Sequence, residues 1–383
     1  MVETTAEVVI SNPIIESRIP EKNALEALEG LFYRVGAITR PSRHHGFERP
    51  LSLRAQRANI LRKMFPKTGV ETPEERQNLR AEANEAKARD EIMKQYLTQK
   101  EIRVMVDGAG EQMSRFITLE PLTDKERETP PIPIVIVPGA SNDIDCVGTL
   151  AQELALRGRK VIVLGYPESF MGKVTPEFVE MIEKSSTYQP HAEFYKKAIN
   201  GILPGGDFEL WGYSNGGPIA EQMLNDKNFW QRVKDAVIIA PSNSVNQTMG
   251  EFMVGAAKEL KHIMEEFKLF PRYSYTTGNK NLEDKGHLEL RSKVLGILIK
   301  KIRTEMDLWK GARVKEGGKI LIVSGERDEI TKSSRTFNKK TEPDLMQENP
   351  QLRVLEVPDS HAGILIEPIP ILNKIQEIQA VSL

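Results

Sequence analysis

The 383-residue sequence has one cysteine, Cys146, and almost no excess of charge. A single cysteine excludes an intrachain disulfide and a zinc site built from cysteines. The 53 basic residues nearly balance the 54 acidic ones, for a net charge of −1, which removes the general electrostatic argument for binding nucleic acid or an anionic membrane. We therefore expect no nucleic-acid partner.

Long apolar runs are also missing. No stretch approaches the roughly 18 consecutive apolar residues that indicate a transmembrane helix, so we expect no transmembrane segment. The start of the chain, residues 1–7, lacks the basic and long apolar regions of a secretory signal. Together these absences predict a cytoplasmic protein.

The first quarter of the chain is rich in charge and has apolar residues at helical spacing, such as Leu25, Leu28 and Leu31. Within it, residues 72–75 read Thr-Pro-Glu-Glu, which is typical of a helix start. We therefore assign residues 1–100 to an N-terminal helical extension. The basic stretch 40–67 is either a surface for a membrane or an acidic partner, or a solvated helix face, which is the interpretation we favour.

From residue 101 the pattern changes to strands. Two apolar segments, 102–106 and 116–119, flank a glycine turn at 108–110 and predict an antiparallel hairpin. Four short, continuously apolar and β-branched runs then follow, which is the pattern of parallel strands covered on both faces: 134–137, 161–164, 237–239 and 320–323. Helical segments lie between them, so we predict an α/β fold with a doubly wound, mostly parallel sheet.

One interval of the chain interrupts this alternation. Residues 243–318 show helical periodicity without a convincing strand, and an insert of this size over the carboxyl edge of a sheet indicates a helical cap or lid. The predicted core is therefore split into a first part, 101–242, and a second part, 319–383.

The most informative motif is G-x-S-x-G, formed by Gly212, Ser214 and Gly216 between an apolar strand and a helix. In this arrangement the serine occupies a strained turn between strand and helix, and the flanking glycines lack the Cβ atoms that would clash there. Ser214 is therefore the candidate nucleophile.

A serine nucleophile needs a histidine base and an acid, which follow it in the order Ser, acid, His in this geometry. His361 alone follows the last predicted strand, 353–358. The other histidines precede Ser214 or fall in the predicted lid: His44, His45, His191, His262 and His287. For the acid we choose Asp328 over the neighbouring Glu326 and Glu329, because an aspartate after a glycine turn is the usual placement and a short carboxylate is held more rigidly.

An acyl-transfer site also needs backbone N–H donors for the oxyanion. One candidate is the amide of Asn215, directly after the nucleophile. The second is the amide of Ala140, in the loop that follows the strand at 134–137.

On these motifs, residues 101–383 resemble the α/β-hydrolase superfamily with a helical cap; residues 1–100 match no family that we recognise. The resemblance implies hydrolysis of an ester, thioester, amide or carbon–carbon bond without a metal or organic cofactor, and we expect a small-molecule ester or acyl substrate. It implies the catalytic triad Ser214, Asp328 and His361, with carboxylic ester hydrolysis as the first choice. An amidase, a peptidase or an acyltransferase would use the same triad, and a catalytically silent hydrolase-fold interaction protein is the alternative from another class.

Overall fold

The computed structural model describes residues 7–9, 96–121, 132–139, 144–169, 172–266, 285–301, 307–366 and 368–380. Most of the predicted N-terminal extension, including the basic stretch 40–67 and the helix expected after residue 72, lies outside these residues. Within them, no helix is both long and apolar enough to cross a membrane.

The strands of the described residues form one nine-stranded sheet. They are β1 Glu7–Val9, β2 Leu97–Val106, β3 Gly110–Leu119, β4 Ile134–Val137, β5 Val161–Leu164, β6 Phe208–Tyr213, β7 Val233–Ile239, β8 Ile320–Gly325 and β9 Leu352–Val357. Their order across the sheet is β1-β2-β3-β5-β4-β6-β7-β8-β9. The strands from β5 to β9 are parallel, and β1, β2 and β3 pair antiparallel at one edge.

Helices connect the parallel strands. They are α1 Gly148–Leu156, α2 Pro176–Lys184, α3 Gln189–Ile202, α4 Gly216–Leu224, α5 Lys227–Trp230, α6 Met249–Glu266, α7 Lys285–Lys301, α8 Leu308–Gly311, α9 Glu342–Glu348, α10 Gly363–Ile366 and α11 Ile369–Ala380. Short 3-10 helices cover Ile144–Val147 and Ser333–Arg335.

Two hydrophobic clusters lie on opposite faces of the sheet. Along β4, Val135 and Val137 face the cluster that includes α3 and α4, whereas Ile134 and Ile136 face the cluster that includes α1 and α11. Every residue of β4 is buried, because side chains alternate between two covered faces. The predicted doubly wound, mostly parallel sheet is confirmed, and all four of the apolar runs identified in the sequence form strands.

The order in which the chain adds strands to the sheet reverses at β4. After β4 the chain adds β5 on one side, and it later returns to place β6 on the other side. A ligand crevice is expected at such a switch point, outside the carboxyl ends of the strands. The loops that follow β4 and β6 therefore lie side by side at the edge where chemistry is expected.

The structure differs from the predicted domain boundaries at the N-terminal end. β2 begins at Leu97, so the boundary at residue 100 falls inside a strand. Glu7–Val9, which we placed in a helical extension, form β1 and pair with residues 101–103 of β2. A sheet edge has unpaired backbone groups that readily accept another strand, and this pairing depends on contacts that a local helical pattern does not encode.

Candidate active site

The predicted nucleophile lies on a sharp turn between β6 and α4. Ser214 has a φ of +52°, a left-handed conformation that side chains other than glycine seldom adopt. Three backbone hydrogen bonds hold it there: its N–H donates to Ile239 O at 2.9 Å, and its carbonyl accepts from Gly217 N at 2.9 Å and Ser242 N at 3.2 Å. Backbone strain of this kind persists only where the surrounding structure enforces it.

The two glycines of the motif are needed because backbones approach closely at the turn. A Cβ atom on Gly212 would lie 2.5 Å from the carbonyl oxygen of Gly216. One on Gly216 would lie 2.2 Å from the carbonyl oxygen of Val137, at the end of β4. The first turn of α4 therefore rests directly on the neighbouring strand.

Asp328 follows β8 and is buried with a full set of hydrogen-bond donors. Its Oδ1 accepts from Ile330 N at 3.0 Å and Thr331 N at 2.8 Å, and its Oδ2 accepts from the hydroxyls of Thr331 and Ser333. Burial raises the pKa of this carboxyl, but His361 and the Thr331 donors outweigh burial and hold the pKa below its ordinary value. The side chain is therefore an ionised acceptor at neutral pH.

His361 lies in the loop after β9 and faces that carboxylate. Its Nδ1 is 3.1 Å from Asp328 Oδ2. Because an ionised carboxylate only accepts hydrogen bonds, Nδ1 carries the proton and Nε2 is left as the basic nitrogen. Burial lowers the pKa of the His361 imidazole, but the Asp328 carboxylate outweighs it, and with a contribution from Glu259 the pKa is raised above its ordinary value.

The loop of His361 packs on the end of β6. The hydroxyl of Tyr213, the residue before Ser214, donates to His361 O at 3.3 Å, and the two rings are 5.1 Å apart. The structure thus joins Asp328 to His361 directly and brings both to the end of the strand that carries Ser214. The hydrogen bonds of the described residues do not include one between Ser214 Oγ and His361.

The alternative acids have different surroundings. Glu326 is exposed, and the carboxylate of Glu329 lies 3.2 Å from Lys258 Nζ. Asp328 is the member of this acidic group that faces the histidine.

Of the two predicted oxyanion donors, Asn215 is among the described residues and Ala140 is not. Asn215 is buried at the start of α4, and no hydrogen bond within the described part of the chain uses its amide N–H. Ala140 lies outside the described residues. The preceding Pro138 is described, and its carbonyl accepts a 2.9 Å hydrogen bond from the hydroxyl of Tyr166, which ties this loop to the end of β5.

A second buried histidine–carboxylate pair lies next to Tyr166, the residue that binds this loop. His191 Nε2 on α3 is 3.0 Å from Glu168 Oε1, and the ring contacts Tyr166 and Phe178 edge-on. Its surroundings are aromatic side chains of the core, whereas those of His361 include the strand end that carries Ser214.

Most of the side chains that hold Asp328 and the loops of the candidate site in place were not predicted from the sequence. Thr331 and Ser333 bind the Asp328 carboxylate, and the Asp-x-x-Thr spacing is a signal for a turn capped by a side chain. Tyr166 and Tyr213 have no comparable signal, since their hydroxyls meet backbone carbonyls from distant segments.

The strand order, the antiparallel edge, the switch point at β4 and the serine turn after β6 together define the α/β-hydrolase fold. The predicted resemblance is confirmed for the fold.

Comparison with known proteins agrees with this assignment. No sequence family and no curated protein matches the chain. Among solved structures, the chain is similar to one described as a probable hydrolytic enzyme from Pseudomonas aeruginosa PAO1, with 13% identity, a TM-score of 0.50, and coverage of 74% of this chain and 94% of that one.

Two further solved structures match the chain with lower TM-scores. A carboxylesterase of the thaumarchaeon Nitrososphaera gargenis has 16% identity, a TM-score of 0.45, and coverage of 73% and 97%. The enol-lactonase from Burkholderia xenovorans LB400 has 13% identity, a TM-score of 0.44, and coverage of 72% and 98%.

We predict that Gly216→Ala lowers the free energy of unfolding by roughly 1–3 kcal/mol or more, the usual cost of overpacking, because the new methyl group would meet the backbone of Val137. Chemical denaturation measures the loss. The matched control is Gly206→Ala, where a Cβ atom would meet nothing within 4 Å, and it should leave the free energy of unfolding nearly unchanged. Equal stability of the two variants would contradict the close approach at the elbow.

Proposed function

We propose that this chain is a serine hydrolase that cleaves a carboxylic ester through an acyl-enzyme on Ser214. The observation that carries the proposal is the buried His361–Asp328 pair, with Nδ1 and Oδ2 3.1 Å apart, packed on the end of the strand that leads to a serine held at a φ of +52°. A nucleophile on a strained turn, a base and an acid that orients the base are the three parts of a Ser-His-Asp triad.

In the first half of the reaction, Ser214 Oγ attacks the ester carbonyl carbon while His361 Nε2 takes the hydroxyl proton. Asp328 holds the tautomer in which Nε2 is basic and stabilises the imidazolium that forms. The same Nε2 then gives its proton to the departing alkoxide. Unliganded serine hydrolases often show a long serine–histidine contact that shortens when substrate binds.

The negative charge of the tetrahedral intermediate needs backbone donors. We assign the amide N–H groups of Asn215 and Ala140 to this role, and a donor of this kind contributes roughly 3–4 kcal/mol to lowering the barrier. In the second half of the reaction, His361 Nε2 takes a proton from water as its oxygen attacks the acyl carbon; the acyl–Oγ bond then breaks, Nε2 returns the proton to Ser214 Oγ, and the acid product leaves.

The substrate class follows from the family resemblance. Ester hydrolysis is its most common activity, and α6, which lies against the loops of Asp328 and His361, is the part of the predicted lid that we expect beside a small-molecule substrate.

A fluorophosphonate probe tests the nucleophile. The probe should form a covalent bond to Ser214 Oγ with loss of fluoride, because the serine is activated by His361. We expect labelling of the wild-type chain at residue 214, located by peptide mass spectrometry, and none of Ser214→Ala. The neighbouring Ser242→Ala, which keeps the triad, should still be labelled. A wild-type chain that resists the probe would favour a silent interaction protein.

The choice between ester and amide is tested with two substrate series. We expect hydrolysis of p-nitrophenyl esters of graded acyl length, and slower or no release of nitroaniline from aminoacyl nitroanilides. Higher kcat/KM for the anilides would reverse the assignment to a peptidase. Transfer of the acyl group to an added alcohol in preference to water would indicate an acyltransferase.

The role of Asp328 is tested by pH dependence. The acidic limb of kcat/KM should lie above the ordinary imidazole pKa of about 6.5, because the neutral base is required and the pKa of His361 is raised. Asp328→Asn should lower kcat by on the order of 10³–10⁴-fold and move the limb to lower pH. Glu326→Gln removes the same charge from an exposed neighbour and should change neither quantity. An active Asp328→Asn would shift the assignment to another acid.

A further inference from the structure

The helix that begins the predicted lid packs on both loops of the candidate site. A Cβ atom on Gly255 of α6 would lie 2.0 Å from Glu329 O, in the loop of Asp328. Just before α6, Gln247 Nε2 donates to Ile330 O at 2.6 Å in the same loop. This helix is therefore in direct backbone contact with the turn that carries the candidate acid.

One turn further along, Glu259 reaches the loop of the candidate base. It is 3% exposed, and its Oε1 accepts a 2.7 Å hydrogen bond from Ala362 N, the residue after His361. The second oxygen, Oε2, is buried without a close donor among the described residues, and the carboxylate as a whole also receives the hydroxyl of Ser360. A buried carboxylate with so few donors is expensive to maintain, and such groups are commonly found at functional sites.

The charge of Glu259 acts on the imidazole. Its carboxylate raises the pKa of His361 in addition to the effect of Asp328. Burial raises the pKa of Glu259 itself, against an opposing effect of His361. The two groups are thus close enough to influence each other's protonation.

We propose that Glu259 is a positioning residue of the candidate active site: its buried carboxylate on the lid helix holds the loop of His361 through Ala362 N–H and places a second negative charge near the imidazole. The inference rests on the proposed function. On this inference, α6 supports the loops of Asp328 and His361 in addition to its expected role as part of the lid.

Several titratable groups face His361 from the surrounding elements. Asp328 comes from the loop after β8 and Glu259 from α6. Tyr213 comes from β6 and is a neutral phenol, since burial raises its pKa well above the ordinary value. Cys146 lies near that phenol, and Asp359 on the loop of His361 itself accepts from Ser360 N at 2.8 Å. Within the described part of the predicted lid, Glu259 is the residue whose charge adds to this set.

Two substitutions separate the hydrogen bond from the charge. Glu259→Gln keeps a carbonyl oxygen for Ala362 N–H and removes the charge, so it should lower the pKa of His361 and shift the acidic limb of kcat/KM to lower pH. Glu259→Leu removes both, and kcat should fall at least roughly fivefold relative to Glu259→Gln, the factor that corresponds to one lost hydrogen bond. The control is Val254→Thr, an exposed site on the same helix, which should match the wild type.

The pKa of His361 is measured by NMR from its ring resonance, assigned by its loss in His361→Gln. An unchanged pKa in Glu259→Gln would overturn the charge effect, and equal kcat in the Gln and Leu variants would overturn the positioning role. Thermal unfolding of each variant identifies a misfolded protein, and Glu259→Gln, the nearly isosteric change, carries the test if the Leu variant does not fold. Failure of the wild type to label or hydrolyse esters would refute the proposed function, whereas the NMR titration tests Glu259 independently of activity.

Discussion

The first turn of α4 rests on the carboxyl end of β4 with no space for a side chain at Gly216, and the geometry of the candidate site depends on this close approach. Because β4 and β6 are neighbours, the helix can follow β6 only through a very short turn. Ser214 occupies that turn in a left-handed conformation. The strain is maintained by hydrogen bonds from the adjacent strand and loop to the backbone of Ser214, so the fold as a whole holds the residue in place.

The second constraint is electrostatic. A buried carboxylate is stable only when its oxygens are paired, and Asp328 receives two backbone N–H donors, two hydroxyl donors and His361. These groups come from two loops that follow the neighbouring parallel strands β8 and β9. The parallel sheet therefore brings together residues that are 33 positions apart in the sequence, because the carboxyl ends of parallel strands meet at one edge.

Helix α6, which follows β7 and begins the predicted lid, packs directly on the loops of the candidate site. α6 touches the acid loop at Gly255 and the histidine loop at Glu259, so movement of this helix would disturb the acid–base pair. This arrangement ties both loops of the candidate acid–base pair to one helix.

Much of this architecture could be predicted from local patterns. The short β-branched runs marked the parallel strands because both of their faces are apolar. The spacing of Gly212, Ser214 and Gly216 marked the elbow, and chain order selected His361. The first half of β3 was missed because Gln112 and Ser114 are polar yet fully buried. Their side chains bond to Ala109 O, Thr175 and Gly165 O, partners that no apolar pattern reveals.

The sequence by itself determined the class of fold, the elbow and the order of the candidate nucleophile, acid and base, since each depends on short-range spacing or on the order of elements along the chain. Only the tertiary structure decided which carboxylate faces His361, how β1 completes the edge of the sheet, and that Glu259 reaches Ala362. These features depend on contacts between segments far apart in the chain, where burial and hydrogen-bond satisfaction, rather than residue pattern, select the partner.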